Sequence, residues 1–317
     1  MSKRIKSLFL YASLALLAYP AAARAHQAPT EAPPELEALD PVKVGQVQLR
    51  DVDPALWVVK DEDSTIFLFG TVHILKPGLG WFDEAVKQAF DSSDRLVLEI
   101  VEPSPADSQS IFTRLAIDSS GKTLRAKMSD DDRTVYEAAM GKIGLPVAAL
   151  DPLDPWAAAI TLSVLAMQQK GFDVNSGVEK QLSAAAKAAG KPIGGVETME
   201  YQLAIFEGLP EAVQIKFLTE TARNIESAGE VMDKMVDLWA KPDPEELGKL
   251  MNEGLTSAEL YDALLTKRNA NWAKWVDAQM KKPGTTFLAV GAGHLSGPTS
   301  VPALLAAYGL TAQRVAY

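Results

Sequence analysis

The chain has 317 residues, with 31 Lys and Arg against 41 Asp and Glu, a formal net charge of −10 and no cysteine. That balance argues against nucleic acid or an anionic membrane as a partner. The missing thiol excludes thiol catalysis, disulfides and a lipid-anchored leader, so an exported form must be held by its core or by a metal.

Residues 1–25 have the form of a cleavable signal peptide. Lys3, Arg4 and Lys6 precede an apolar run from Ser7 to Tyr19 that is too short for a mature span, and Ala23-Arg24-Ala25 offers a small-residue cleavage site. The expected product is periplasmic or secreted, with no membrane contact once the leader is gone. Residues 26–50 are rich in Pro and Glu and read as a solvated tether. Residues 51–317 then form the folded domain.

Trp57–Val59 and Thr65–Phe69 flank Asp61-Glu62-Asp63 and predict a hairpin with an acidic turn. Its second arm runs on as IFLFGTVHI, Ile66 to Ile74: a short apolar run, a glycine, and His73 just beyond the strand. Phe82 to Phe90 reads as a short amphipathic helix. Arg95 to Ile100, RLVLEI, is a buried strand carrying Glu99. A carboxylate there is costly unless it meets a cation or a metal, or faces water at a sheet edge.

From Ser108 to Met140 the pattern is helical, with an N-cap cluster at Ser129–Asp132. Pro155 opens a helix over Trp156–Lys170. Val178 to Ala189 is an Ala-rich helix stopped by Gly190, and Lys191 to Val196 is a short strand ending at Glu197. Met199 to Met251 is mostly helix, interrupted at residues 208–210 and 241–244. A longer helix from Ser257 to about Lys281 has an apolar stripe of Tyr261, Leu264, Leu265, Trp272, Trp275 and Val276. Arg268 interrupts that stripe, so it either snorkels out or pairs with an acid. The expected partner is Glu99 or Glu197. FLAVGAGHL, Phe287 to Leu295, repeats the first frame with His294 in place of His73. A helix over Val301–Ala307 and a strand over Ala312–Tyr317 close the chain.

Strands alternating with helices predict an α/β fold. The sheet is expected to be central, mixed but mostly parallel, and flanked by helices, with a large all-helical insertion at about 108–281 between the two GxxH strands. If the strands are parallel, His73, Glu99, Glu197 and His294 surround one mouth, at the edge where open α/β sheets bind ligands. Gly70 and Gly291, which open the two GxxH segments, join them as cofactor-binding candidates. Two His with one or two carboxylates can bind a divalent ion and leave a position for water. No HExxH, GxSxG, P-loop or Rossmann glycine motif is present. The residues alone leave metal-assisted and His/Glu general-base hydrolysis both open.

GTVH (Gly70 to His73), LVLEI with Glu99, and GAGHL (Gly291 to Leu295) together resemble the TraB/GumN family, which is related to the Tiki metalloproteases. Pro155-Trp156, GFDV (Gly171 to Val174), GKPIGGVET (Gly190 to Thr198) with Gln202, and Arg268-Asn269 fit the same family. The resemblance runs from about Trp57 to the C-terminus. It implies a fold similar to erythromycin-esterase-like and ChaN-like proteins and, for the Tiki relatives, a manganese- or cobalt-dependent peptidase activity. His73, Glu99 and His294 would be the catalytic and metal set, with Glu197 and Arg268 supporting them. Imidazole plus carboxylate suits Mn²⁺, Co²⁺ or Zn²⁺. The expectation is an exported metal-dependent hydrolase acting on a small peptide or another envelope substrate. The alternatives are a non-catalytic periplasmic protein binding peptide or haem, and an accessory protein of envelope polysaccharide assembly.

Overall fold

The computed structural model describes residues 49–241, 243–254 and 257–317. The expected leader, and the expected tether up to residue 48, lie outside them. The strands are β1 (Arg50–Asp51), β2 (Leu56–Lys60), β3 (Ser64–Thr71), β4 (Leu79–Gly80), β5 (Arg95–Ile100), β6 (Ile193–Glu197), β7 (Gly284–Gly291) and β8 (Gln313–Arg314). The helices are α1 (Glu84–Ser92), α2 (Pro105–Ala116), α3 (Asp130–Lys142), α4 (Pro155–Gln169), α5 (Val178–Ala188), α6 (Met199–Glu207), α7 (Glu211–Arg223), α8 (Ala228–Trp239), α9 (Pro244–Gly254), α10 (Ala258–Tyr261), α11 (Lys267–Met280) and α12 (Val301–Leu304).

Six strands make the main sheet in the order β6-β5-β7-β3-β2-β8. The first four are mutually parallel, and β2 and β8 add an antiparallel edge. The predicted hairpin is β2–β3, with Trp57 opposite Leu68 and Lys60 opposite Thr65. The two GxxH strands lie side by side in register, Phe67 with Phe287 and Thr71 with Gly291. The two copies of the sequence frame thus lie on neighbouring strands but are offset by one residue, since Gly70 pairs with Val290 and Gly291 with Thr71.

Both faces of the sheet are covered, which is why its strands read as continuous apolar runs. Ile66, Leu68, Leu288 and Val290 pack against Trp272, Ala273 and Val276 of α11 on one face. Phe69, Leu96, Leu98 and Phe287 join the larger core on the other, with α1, α4 and α5. Helix α4 is buried nearly all round, from Trp156 to Met167, as expected of a helix at the centre of a layer. Its Pro155 sits in the first turn, as predicted.

The segment 108–281 is not helical throughout, because it sends β6 into the sheet edge beside β5. The helical pattern over 108–140 is also broken. The chain leaves α2 at Ile117, bends through Gly121 at φ +76° and a 3₁₀ turn at Leu124–Lys127, and restarts at Ser129. A buried cation explains the break: Lys127 pairs with Asp118 and lies 2.9 Å from Glu211 and 3.3 Å from Asp154. Continued helix would separate Asp118 from Lys127 by more than two turns. The long helix expected from Ser257 instead runs as α10, a π turn over Asp262–Thr266, and α11. The closing strand is shorter than expected, at Gln313–Arg314.

Candidate functional site

Four adjacent parallel strands deliver four chemically active side chains to the same end of the sheet. Glu197 ends β6, Glu99 lies next to the last residue of β5, His294 sits in the turn after β7, and His73 follows β3. Arg268 enters from α11, which crosses one face. His73, Glu99, His294 and Arg268 are all 5% exposed or less, so this cluster is sealed from bulk water.

Arg268 is the hub, and it reaches both acids expected of it. Its Nη2 donates to Glu99 Oε2 at 2.6 Å and to Glu197 Oε2 at 2.8 Å, and its Nε donates to Glu197 Oε1 at 3.0 Å. Its Nη1 donates to the Leu264 carbonyl at 3.2 Å, a group inside the π turn. Such turns concentrate at functional sites because they shift the register of one face. Gln202 bridges the acids from α6, giving one N–H each to Glu99 (3.0 Å) and Glu197 (2.9 Å). Trp272 Nε1 donates to Glu197 Oε1 at 3.0 Å. Both oxygens of Glu197 are thus occupied by donors.

The glycines act through their backbone. Gly291 N–H donates to Glu99 Oε1 at 2.6 Å. A Cβ on Gly70 would stand 3.1 Å from Ala292, so glycine lets the end of β3 pass close under the turn carrying His294 without crowding it.

The two histidines have different neighbours. His294 Nδ1 lies 2.6 Å from Asn269 Oδ1. The Asn269 amide is oriented by its own N–H donation to the Thr299 carbonyl at 2.8 Å, so its oxygen faces the ring. His294 therefore carries its hydrogen on Nδ1, and its bare Nε2 accepts from Arg268 Nη1 at 3.2 Å. His73 Nδ1 lies 2.6 Å from Glu179 Oε1, with the oxygen off the ring's N–H axis, and its Nε2 has no protein partner.

Charge follows these contacts. Burial alone would raise the Glu99 pKa, but the Arg268 cation beside it, helped by the imidazoles and the Gly291 N–H, holds it down at about 2. Burial and the same Arg268 cation push His294 down to about 3, so its imidazole is neutral at pH 7. Burial also opposes the charge on His73, yet Glu179 outweighs it and leaves the pKa raised.

The donor chemistry suits the divalent ion implied by the family resemblance. A ligating imidazole presents one bare nitrogen and commits its other N–H to an oxygen acceptor. His294 does this through Asn269, and the orphaned buried Nε2 of His73 lies opposite a nitrogen that faces Glu179. Glu99 supplies a carboxylate 3.9 Å from His294 Nε2. The spacing is looser than a closed shell: among the described residues no three His, Asp or Glu side chains are grouped as metal ligands.

Glu179, Gln202, Asn269 and Trp272 are the site residues that chain-order reasoning did not single out for a role. Gln202 and Asn269 fall within family-like stretches. Glu179, in the first turn of α5, carries no such signal, because an acid there reads as an ordinary helix-dipole partner.

Comparison with known proteins agrees with this arrangement. The chain is 24% identical over 252 residues to "Uncharacterized protein YbaP" of Escherichia coli (strain K12), covering 80% of this chain and 92% of that one. It is 21% identical over 267 residues to an "Uncharacterized protein" of Treponema pallidum (strain Nichols), covering 77% of this chain and 78% of the other. No solved structure matches it. The sequence profile of the TraB/PrgY/gumN family matches residues 55–314, a stretch that holds every site residue described above, and the chain belongs to that family.

Proposed function

We propose that the protein is an exported, metal-dependent hydrolase of peptidase type, with His73, His294 and Glu99 as its metal-holding set. One observation carries the reading. Each GxxH histidine has Nδ1 2.6 Å from an oxygen, and Glu99, held ionised, lies 3.9 Å from His294 Nε2. Bound Mn²⁺, Co²⁺ or Zn²⁺ would supply the Lewis acidity that activates water for attack on a carbonyl near neutral pH.

The chain's own residues do the rest. Arg268 keeps Glu99 ionised and presents Nη1 to His294 Nε2, a hydrogen bond that an entering cation must displace. Glu197 has both oxygens filled by Arg268, Trp272 and Gln202. Its role is therefore to anchor Arg268, and Glu99, filled likewise by Gly291, Arg268 and Gln202, would have to give up a donor to take a cation. The closed, buried cluster keeps bulk water from screening these charges. A small peptide or another envelope substrate is the proposed partner, in the periplasm or outside the cell. A second reading, a non-catalytic protein binding peptide or haem, draws on the Arg268 guanidinium, which already pairs with both acids without a metal.

Metal analysis of the purified mature protein, alongside peptide hydrolysis assays, separates the two. We expect Mn, Co or Zn in the wild type and loss of both metal and activity in His73→Ala and His294→Ala, with circular dichroism unchanged. A His73→Ala protein with wild-type metal content and activity would overturn the hydrolase reading.

A further inference from the structure

Nothing in the family-like stretches points to Glu179, yet the chain is built to hold it against His73. Residues 173–179 are stitched to the His73 loop at several points. Asp173 N–H donates to the Leu75 carbonyl at 2.9 Å, and Leu75 N–H returns the bond to Asp173 at 3.4 Å. Val178 N–H donates to the Val72 carbonyl at 3.1 Å. Gly177 packs so closely that a Cβ there would stand 2.2 Å from the His73 carbonyl oxygen. Phe172 lies under the Lys76 ammonium, 4.6 Å from ring centroid to Nζ. These contacts fix the start of α5, and the second residue of that helix is Glu179.

Glu179 is 5% exposed, and its Oε1 meets no hydrogen-bond donor aligned with it; its nearest polar neighbour is His73 Nδ1 at 2.6 Å. A carboxylate in the first turn of a helix is favoured in its ionised form by the unpaired N–H groups there. Which ring nitrogen carries the proton is decided by what the other atom of the pair offers. An acceptor-only carboxylate at Nδ1 selects the Nδ1–H form.

We propose that Glu179 is a positioning residue for His73, holding the Nδ1 hydrogen so that the bare Nε2 lone pair faces the site beside Glu99. The proposal rests on the reading of His73 as a ligand only for its effect on function; its effect on the ring stands without a metal. It also gives the helical segment between the GxxH strands a part in the site.

The test is ¹⁵N NMR of the neutral imidazoles in metal-free protein, with the His73 signals assigned by their loss in His73→Gln. We expect the Nδ1–H form in the wild type and in Glu179→Gln, whose amide oxygen still accepts, and the Nε2–H form in Glu179→Leu. An Nε2–H wild-type ring, or a folded Glu179→Leu protein that keeps Nδ1–H, overturns the proposal. If Glu179→Leu fails to fold, the wild-type spectrum alone decides. Titration of the same proteins with Mn²⁺ or Zn²⁺ then reads the functional consequence. A 10- to 100-fold loss of affinity in Glu179→Leu is expected of a partner one step removed from the ligand. Failure of the wild type to bind metal, with the Nδ1–H form present, would sink the hydrolase reading and leave the positioning role of Glu179 standing.

Discussion

His73 and His294 occupy the same place in two copies of one short pattern, on neighbouring parallel strands offset by one residue, and they differ electrically. His73 faces an acid through Nδ1, and its pKa is raised; His294 faces a neutral amide and the Arg268 cation, and is held at about 3. The motif brings the rings together, but their neighbours set their charge. Those neighbours come from different parts of the chain: Glu179 from α5, Asn269 and Arg268 from α11. A GxxH pair is thus a geometric device, and the intervening helices make the two members unequal.

The largest expected effect comes from removing the cation that separates them. Arg268→Met leaves Glu99 and Glu197 without their shared partner in a site where all three side chains are 6% exposed or less. Stranding buried charge in this way costs about 3–5 kcal/mol, so folding as well as activity should suffer. Denaturant unfolding measures it, and a loss below about 1 kcal/mol, the range of an exposed ion pair, would show that Arg268 does not hold the acids.

Asn269→Asp attacks the contrast from the other side, by giving His294 an acid of the kind His73 already has. The His294 pKa should climb from about 3 towards its ordinary 6.5 in an NMR titration; no movement would mean that the Nδ1 partner does not set the difference. In the wild-type fold the two rings also predict opposite pH slopes. Between about 6.5 and 3 the unfolded His294 takes up a proton that the folded one refuses, so its contribution to stability falls as the pH falls. His73, with a raised pKa, contributes stability that is fully present below 6.5 and is lost as the pH rises through its folded value. In unfolding free energies measured against pH, His294→Gln should lose the slope between about 3 and 6.5, and His73→Gln the slope above 6.5. The smallest effect is expected from Trp272→Phe, which removes one N–H from Glu197. About 0.5–1.5 kcal/mol is typical for one hydrogen bond, and a larger loss would mean that the Trp272 ring, under the Arg268 guanidinium and tilted against His294, matters more than its donor.

Strand positions were legible in the sequence because apolar runs ending in Gly or an acid carry their own signal, and parallel pairing then collects the ends of β6, β5, β7 and β3. Arg268 was legible for a related reason: a charge inside an apolar stripe must find a partner. Breaks in the helices were less visible. The bend after α2 exists to bring Asp118 to Lys127, a pairing set by tertiary structure that no local periodicity encodes. Glu179 was hidden for the opposite reason, since its local role as a first-turn acid is satisfied whether or not an imidazole lies beside it. Asn269 and Gln202 are uncharged and drew no cost argument, although they fix the ring of one histidine and bridge the two acids.

The strand order also bears on how the protein is made. Strand β7, which leaves the ribosome after β3, β5 and β6, lies between β5 and β3, so those two parts of the sheet have no bond to each other until it arrives. Contacts this distant in sequence form slowly. A growing chain can close the β2–β3 hairpin and much of the helical layer, but it cannot assemble the cluster, because Arg268, Gly291 and His294 are all translated late. Synthesis therefore acts as a safety catch: a truncated product keeps a loose sheet edge and holds only His73, Glu99 and Glu197 of the five expected site residues.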